Sequence, residues 1–239
     1  MSRFVASLAI AVALFAHAPA FAQRDAAKAT IERAQQGDAA AQYRLGEMYD
    51  LGQGVRQDYA EAVRWYRRAA EQGNARAQFA LAEMIKNGDG VAKSLPEAAK
   101  WYRRAAEQGS RDAQLLLGVL YEGGEGVPQD VNEAARWYRR SAEQGDARAQ
   151  LLLGVLYQLG HGVPRSYPAA WALYTLSANG DGARGNPAPG HRAQLASAMS
   201  AREIDLAKEL AGEMAKPGHF GVALDGFLAP TTQPRTPAR

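Results

Sequence analysis

Residues 110–145 read SRDAQLLLGVLYEGGEGVPQDVNEAARWYRRSAEQG. Leu117 and Tyr121 stand four apart, so within a helix running from Ala113 to Tyr121 they share a face. Gly124-Glu125-Gly126-Val127-Pro128 is a turn by composition. A second helical run follows from Glu133 to Gln144; in the first unit the inward stripe of this run is Ala62, Trp65 or Tyr66, and Ala69 or Ala70. Gly145 ends that run, where a left-handed residue after the helix is wanted. The stretch therefore predicts two short antiparallel helices joined by a Gly-rich turn.

The same pattern recurs in both directions along the chain. Trp65, Trp101 and Trp137 are spaced by 36, as are Gly54, Gly90, Gly126 and Gly162. Ala41-Gln42, Ala77-Gln78, Ala113-Gln114 and Ala149-Gln150 keep the step, and so do Tyr66, Tyr102, Tyr138 and Tyr174. Self-similarity at this period predicts stacked helical hairpins. The units run 38–73, 74–109, 110–145 and 146–180, the last one residue short before Gly180. Gly46, Gly118 and Gly154, with Ala82 in the second unit, sit beside the Leu–Tyr stripe and let the paired helix come close. Asp58, Ser94, Asp130 and Ser166 mark the start of each second helix as caps. Gly73, Gly109, Gly145 and Gly180 are expected to close the second helices in the left-handed conformation. Arg67-Arg68 and the equivalent pairs are expected on a solvated outer face.

These residues resemble the Sel1 repeat family. The resemblance is carried by Ala113-Gln114, Leu117-Gly118, Tyr121, Gly124, Gly126-Val127, Asp130, Glu133-Ala134, Trp137-Tyr138 and Ala142-Glu143-Gln144-Gly145, and it spans about 38–180. It implies an all-α fold: a right-handed α/α superhelical solenoid of Sel1-like helix-turn-helix repeats with terminal capping helices. Sel1 repeats are similar to tetratricopeptide repeats with longer loops, and they hold partner proteins. The fourth unit departs from the pattern, with Leu173 at the Trp position and Thr175-Leu176 in place of Arg-Arg. A terminal unit meets different surroundings, and this departure suits one.

By analogy with tetratricopeptide arrays, the first helices line a concave side. The residues carried to it are Tyr43, Glu47 and Asp50, then Phe79, Glu83 and Lys86. Leu115, Val119 and Glu122 follow, and then Leu151, Val155 and Gln158. The first six form the expected partner-binding set, suited to a protein or peptide carrying Lys or Arg. The aliphatic end either receives an apolar segment of a partner or lies under the protein's own C-terminal helix, and the rarity of contiguous exposed apolar surface favours the cover. A cell-envelope polysaccharide or peptidoglycan is the alternative partner, because Sel1-like proteins occur in polysaccharide export machinery.

The flanks have their own readings. Arg3, the apolar run Phe4 to Ala16 and Ala18-Pro19-Ala20-Phe21-Ala22 read as a cleavable signal peptide over 1–22. The mature chain is expected to start at Gln23, in the periplasm or outside the cell, with no membrane span after cleavage. The chain has no cysteine, which removes disulfides, thiolate metal sites and the lipidated cysteine of a lipoprotein. Residues 23–37 are expected to form an N-terminal capping helix, with Ala27 to Gln36 as a lone second-half helix. Residues 181–216 are expected to form C-terminal capping helices, with a capping box at Ser200-Ala201-Arg202-Glu203. Behind it Ile204, Ala207, Leu210, Ala211 and Met214 line one face. Residues 217–239, rich in Pro, Thr and Gly, are expected to lack fixed structure.

The composition argues against nucleic acid: 28 Lys and Arg stand against 25 Asp and Glu. His161, His191 and His219 fall in expected loops at unrelated offsets, with no pair spaced for a metal. The Gly-rich turns lack the Lys-Ser/Thr of a phosphate loop. Some secreted Sel1 proteins are linked to β-lactamase activity, but those are cysteine-rich, and no Ser-x-x-Lys follows the signal here. The chain is therefore expected to be a scaffold without a catalytic residue, cofactor or metal. A β-lactamase-like enzyme is the remote alternative.

Overall fold

A computed structural model describes residues 27–180 and 185–229. The signal segment and the last ten residues lie outside them. Among the described residues all regular structure is helical. Helix α1 covers 27–35. Eight helices of equal length follow as hairpin pairs: α2 (Ala39–Leu51) with α3 (Tyr59–Glu71), α4 (Ala75–Asn87) with α5 (Leu95–Glu107), α6 (Arg111–Gly123) with α7 (Val131–Glu143), and α8 (Ala147–Leu159) with α9 (Tyr167–Asn179). Three more close the chain: α10 (Ala188–Ala196), α11 (Ala201–Met214) and α12 (Phe220–Leu228). The chain forms two compact units that divide between Gln108 and Gly109, each holding two hairpins.

Local chemistry sets the helix ends. Asp58, Ser94, Asp130 and Ser166 accept hydrogen bonds from backbone N–H groups at the starts of α3, α5, α7 and α9, as read from the sequence. Asp38, Asn74, Ser110 and Asp146 do the same for α2, α4, α6 and α8. The first helix of each hairpin stops at a left-handed glycine, such as Gly124 with φ 70°.

In the first, third and fourth hairpins a tyrosine ring of the second helix lies on a glycine of the first, Gly46, Gly118 or Gly154. A Cβ at Gly118 would stand 2.6 Å from Cδ1 of Tyr138, and one at Gly154 would stand 2.8 Å from Cε1 of Tyr174. No side chain fits there without moving the ring. Tyr102, Tyr138 and Tyr174 are fully buried, together with Leu81, Ile85, Leu117 and Leu153. In the first unit α1 supplies Ala27 and Ala34 to a core shared with Ala41, Leu45 and Met48 of α2. The exposed end of the first hairpin is thereby capped.

A second ladder is polar. Gln42, Gln78, Gln114 and Gln150 are all buried. The side-chain amides of Gln42 and Gln78 donate to the carbonyls of Ala34 and Ala70, at 3.2 and 3.1 Å. Their Oε1 atoms accept from Gln72 and Gln108, both at 2.7 Å. Gln114 accepts from Gln144 at 2.8 Å. A buried amide needs such partners, so within each unit the ladder fixes the register of a hairpin on the helix before it.

The structure corrects three expectations. The tail expected to lack fixed structure from 217 carries α12, whose Phe220 and Leu224 are buried. The apolar 220–228 segment finds on the folded repeats a surface that no local pattern announces. Gly180 is not left-handed: its φ is −78° and ψ 166°. The fourth unit is one residue short, so Gly180 takes the place of Gln72, Gln108 and Gln144, and the chain leaves extended. His191 lies within α10, its ring 5.3 Å from that of Tyr174, rather than in a loop. Arg68, Arg104 and Arg140 of the arginine stripe are exposed, as expected. They stack on Trp65, Trp101 and Trp137 at 4.5, 4.5 and 4.6 Å, where cation–π attraction holds them.

Candidate functional site

The six residues expected to bind a partner all lie in the first unit, half-buried on α2 and α4. In the first repeat the hydroxyl of Tyr43 donates to Glu47 Oε1 at 2.8 Å. Arg44 reaches the other oxygen of Glu47 at 3.4 Å. The Tyr43 ring lies 5.8 Å from that of Tyr66, whose hydroxyl donates to Asp50 at 3.3 Å. Burial and the Glu47 carboxylate push the Tyr43 phenol up to about 12, so it remains a neutral donor. In the second repeat Phe79 packs 5.9 Å from the Tyr102 ring. Glu83 accepts from the hydroxyl of Tyr102 and is gripped by Lys86 at 2.8 and 2.9 Å.

The acidic character read from sequence is thus largely spoken for. Asp50 and Glu83 are acceptors for buried tyrosines, and Glu83 is also neutralised by Lys86. Glu47 keeps the greatest freedom, since Arg44 beside it is mostly exposed and such a pair is weak. What remains presented is a pair of aromatic side chains, Tyr43 and Phe79, fixed by ring packing at equivalent positions of successive repeats. Such rings bind a partner with little further loss of side-chain entropy.

The second unit differs. Tyr138 donates to Glu122 and Tyr174 to Gln158, both at 2.6 Å. Leu115 is buried, Leu151 and Val155 are half-buried, and Val119 is exposed. The terminal helices α10 and α11 pack chiefly on α9, the second helix of the last hairpin. Helix α12 rests on α11 and reaches α7, where Arg139 holds Asp225 through two bonds of 2.6 Å and donates to the carbonyl of Gly221 at 3.2 Å. In the first unit Arg67, at the position of Arg139, pairs with Glu97 of the next repeat at 3.0 Å. The fourth repeat has Ala169 where that glutamate would be, and Asp225 supplies the carboxylate instead. Sequence reasoning missed this strap. Its one signal was the alternation of Phe220, Leu224 and Phe227 with Asp225 in a segment short of charge.

Among the described residues, no group of three or more His, Cys, Asp or Glu side chains is placed to hold a metal ion. No described helix is long and apolar enough to cross a membrane.

The geometry can be set beside known proteins. The Sel1 repeat model matches residues 39–74, 75–110, 111–146 and 147–181. The chain belongs to the Sel1 repeat family. Each matched segment starts one residue after the boundary read from the 36-residue step. Among solved structures, a Sel1 repeat protein from Oxalobacter formigenes is 34% identical with a TM-score of 0.64, the match covering 80% of this chain and 79% of that one. The protein c5321, a protective antigen present in uropathogenic Escherichia coli strains and displaying an SLR fold, is 28% identical with a TM-score of 0.52. That match covers 88% of this chain and 52% of c5321. Comparison with curated proteins gave no match. Sel1 repeat proteins generally mediate protein–protein interaction, and their scaffold is typically non-enzymatic.

Proposed function

We propose that this Sel1 protein is an exported scaffold, working in the periplasm or outside the cell, that holds a peptide segment of a partner protein on the first-helix face of its first two repeats. The observation that carries the reading is the pair Tyr43 and Phe79, held half-exposed by Tyr66 and Tyr102. Aromatic side chains in fixed settings are the usual anchors of protein interfaces. Glu47, beside Tyr43, is the carboxylate best able to exchange Arg44 for a basic group on the partner. Export rests on the signal-like segment 1–22.

The test is a crosslinking pull-down from envelope extract with the full chain and with a Phe79→Ala/Glu47→Lys variant, beside binding to isolated polysaccharide and peptidoglycan. The reading expects a protein retained by the natural chain and lost by the variant, with both chains folded. Equal retention moves the site elsewhere, and retention of polysaccharide alone replaces the protein partner with a carbohydrate. Mass analysis of the exported protein should give Gln23 as the first residue. An intact Met1 there sinks the export route.

A further inference from the structure

The second unit holds a cleft of about 410 Å³ between the first half of α7, the α8 residues Leu153 and Tyr157, and the turn Gly162-Val163. The turn lies directly on the start of α7, since a Cβ at Gly162 would stand 2.6 Å from the carbonyl oxygen of Val131. The four charged residues that line the cleft, Asp130, Glu133, Arg136 and Arg139, recur as the same types two repeats earlier. Three other lining residues do not recur. Asn132, Ala135 and Tyr157 stand where the first unit has Ala60, Val63 and Ile85. On a shared frame the second unit thus gains a carboxamide and a hydroxyl, and it loses the bulk of a valine.

Tyr157 is the decisive side chain. It is only 4% exposed. The hydroxyls of Tyr66, Tyr102, Tyr138 and Tyr174 each donate to a side chain of their own hairpin, whereas that of Tyr157 has no hydrogen-bond partner among the described residues. The side-chain N and O atoms that are both fully occluded and without a partner are, among the described residues, Trp137 Nε1 and Gln150 Oε1. The Tyr157 hydroxyl is not one of them, so it keeps solvent contact, on the cleft that Tyr157 lines. Burial raises its phenol above the ordinary value, with Arg139 opposing the shift and Asp225 adding to it, so the group is a neutral hydroxyl that both donates and accepts. A polar group this deep without a partner is uncommon in native proteins.

The charges around it are already matched. Glu133 holds Arg136 through Oε1, and Arg139 holds Asp225 and Glu143. Asp130 Oδ1 accepts from the backbone N–H groups of Asn132 and Glu133. Left over are the second oxygens of Asp130 and Glu133, N–H groups of Arg136, the Asn132 carboxamide and the Tyr157 hydroxyl. These are donors and acceptors interleaved, on a lining whose two carboxylates and two guanidiniums cancel. We propose that this cleft binds a neutral sugar residue, a pyranose whose hydroxyls donate to the spare carboxylate oxygens, accept from Arg136 and exchange a hydrogen bond with Tyr157. A sugar hydroxyl both donates and accepts, so it serves each leftover group while the ion pairs stay closed. A charged ligand has to open the Glu133–Arg136 pair to be neutralised. Leu153 and Val163 supply an apolar wall for the C–H face of the ring. The site is in the second unit and stands independently of the face on the first two repeats.

The test is a ¹⁵N NMR titration of the full chain with the methyl α-pyranosides of glucose, mannose and galactose, beside glucuronate and glucosamine as charged counterparts. At least one neutral glycoside is expected to give saturable shifts at Asn132, Gly162 and Val163, with both charged sugars weaker by about tenfold, since each must desolvate an ion against groups already paired. Tyr157→Phe removes a hydroxyl that has no internal partner, so the melting temperature should hold while sugar binding weakens roughly 3- to 10-fold, the worth of one neutral hydrogen bond. Asn132→Ala, an exposed change to the residue of the first unit, should weaken it by a similar factor. Dextran, mannan and galactan run beside the glycosides separate the two sources of such a ligand: a response to a polymer assigns the site to a residue within a polysaccharide, and a response to glycosides alone assigns it to a free sugar. No saturable shift with any of the three glycosides overturns the proposal. A preference for either charged sugar, or full-strength binding by folded Tyr157→Phe, overturns it too.

Discussion

Gly118→Ala adds one methyl group at the tightest helix–helix approach of the third repeat. The new Cβ would stand 2.6 Å from both Cδ1 and Cε1 of Tyr138 and 3.3 Å from the carbonyl oxygen of Ala134. The ring must retreat by about an ångström to regain ordinary contact distance, on the order of 3.5–4.0 Å between carbons. Overpacking of this kind costs about 1–3 kcal/mol. The retreat also pulls the tyrosine hydroxyl from Glu122, now 2.6 Å away. Against this, alanine is better than glycine inside a helix by about 1 kcal/mol. The expected net loss is roughly 1–3 kcal/mol, read as a lower urea midpoint at unchanged slope. The second repeat is a natural control. It has Ala82 at this position, and there Tyr102 donates to Glu83 while Lys86 occupies the place of Glu122. Converting the third repeat to that set, with Val119→Glu and Glu122→Lys added to Gly118→Ala, should recover about half of the loss or more, because the displaced hydroxyl regains a charged acceptor. A single Gly118→Ala variant that is neutral or more stable would refute the close-approach argument, since helix propensity alone would then account for the position.

Glu83→Lys should destabilise the first unit by roughly 1–3 kcal/mol, because it leaves the hydroxyl of the fully buried Tyr102 without its acceptor and sets a second cation beside Lys86. A melt like that of the natural chain would show Glu83 to be an ordinary surface acid. Leu224→Ala should free α12 more than Asp225→Ala does: the first empties a fully buried position, at about 2–5 kcal/mol, and the second removes a largely exposed ion pair worth up to about 1 kcal/mol. Hydrogen exchange over 220–228 reads the difference, and equal opening in the two variants would assign the strap to its ion pair instead. Alkaline pH should unfold the repeats as well. Burial, aided by neighbouring carboxylates, raises the phenols of Tyr66, Tyr102 and Tyr138 above the ordinary 10.0, so the folded state holds protons that the unfolded chain releases. Their stabilisation is complete below pH 10 and falls as pH rises beyond it, so tyrosinate absorbance should appear together with loss of helicity. Tyrosinate appearing near its ordinary pKa in a chain that stays helical would contradict this.

The sequence by itself determined the four hairpins, the caps of their second helices and the small residue at each close helix approach. Each of these is a local or strictly periodic property: Asp130 caps the helix it precedes, and Gly118 recurs at a fixed offset from Tyr138. The aromatic members of the candidate face, Tyr43 and Phe79, were legible for the same reason. The state of the carboxylates beside them was not. Whether Asp50, Glu83 or Glu122 meets a tyrosine depends on which way a ring turns against Gly or Ala on another helix, a decision of packing. Tertiary structure alone also decided the fate of 217–229. Helix α12 has little local signature, and it forms because α11 presents it to Arg139, a residue whose repeat partner has become Ala169. The unpaired Oε1 of Gln150 belongs to the same class. One missing residue before Gly180 is visible in the alignment of repeats, but only the folded chain shows that Gln150 Oε1 is left buried without a partner among the described residues.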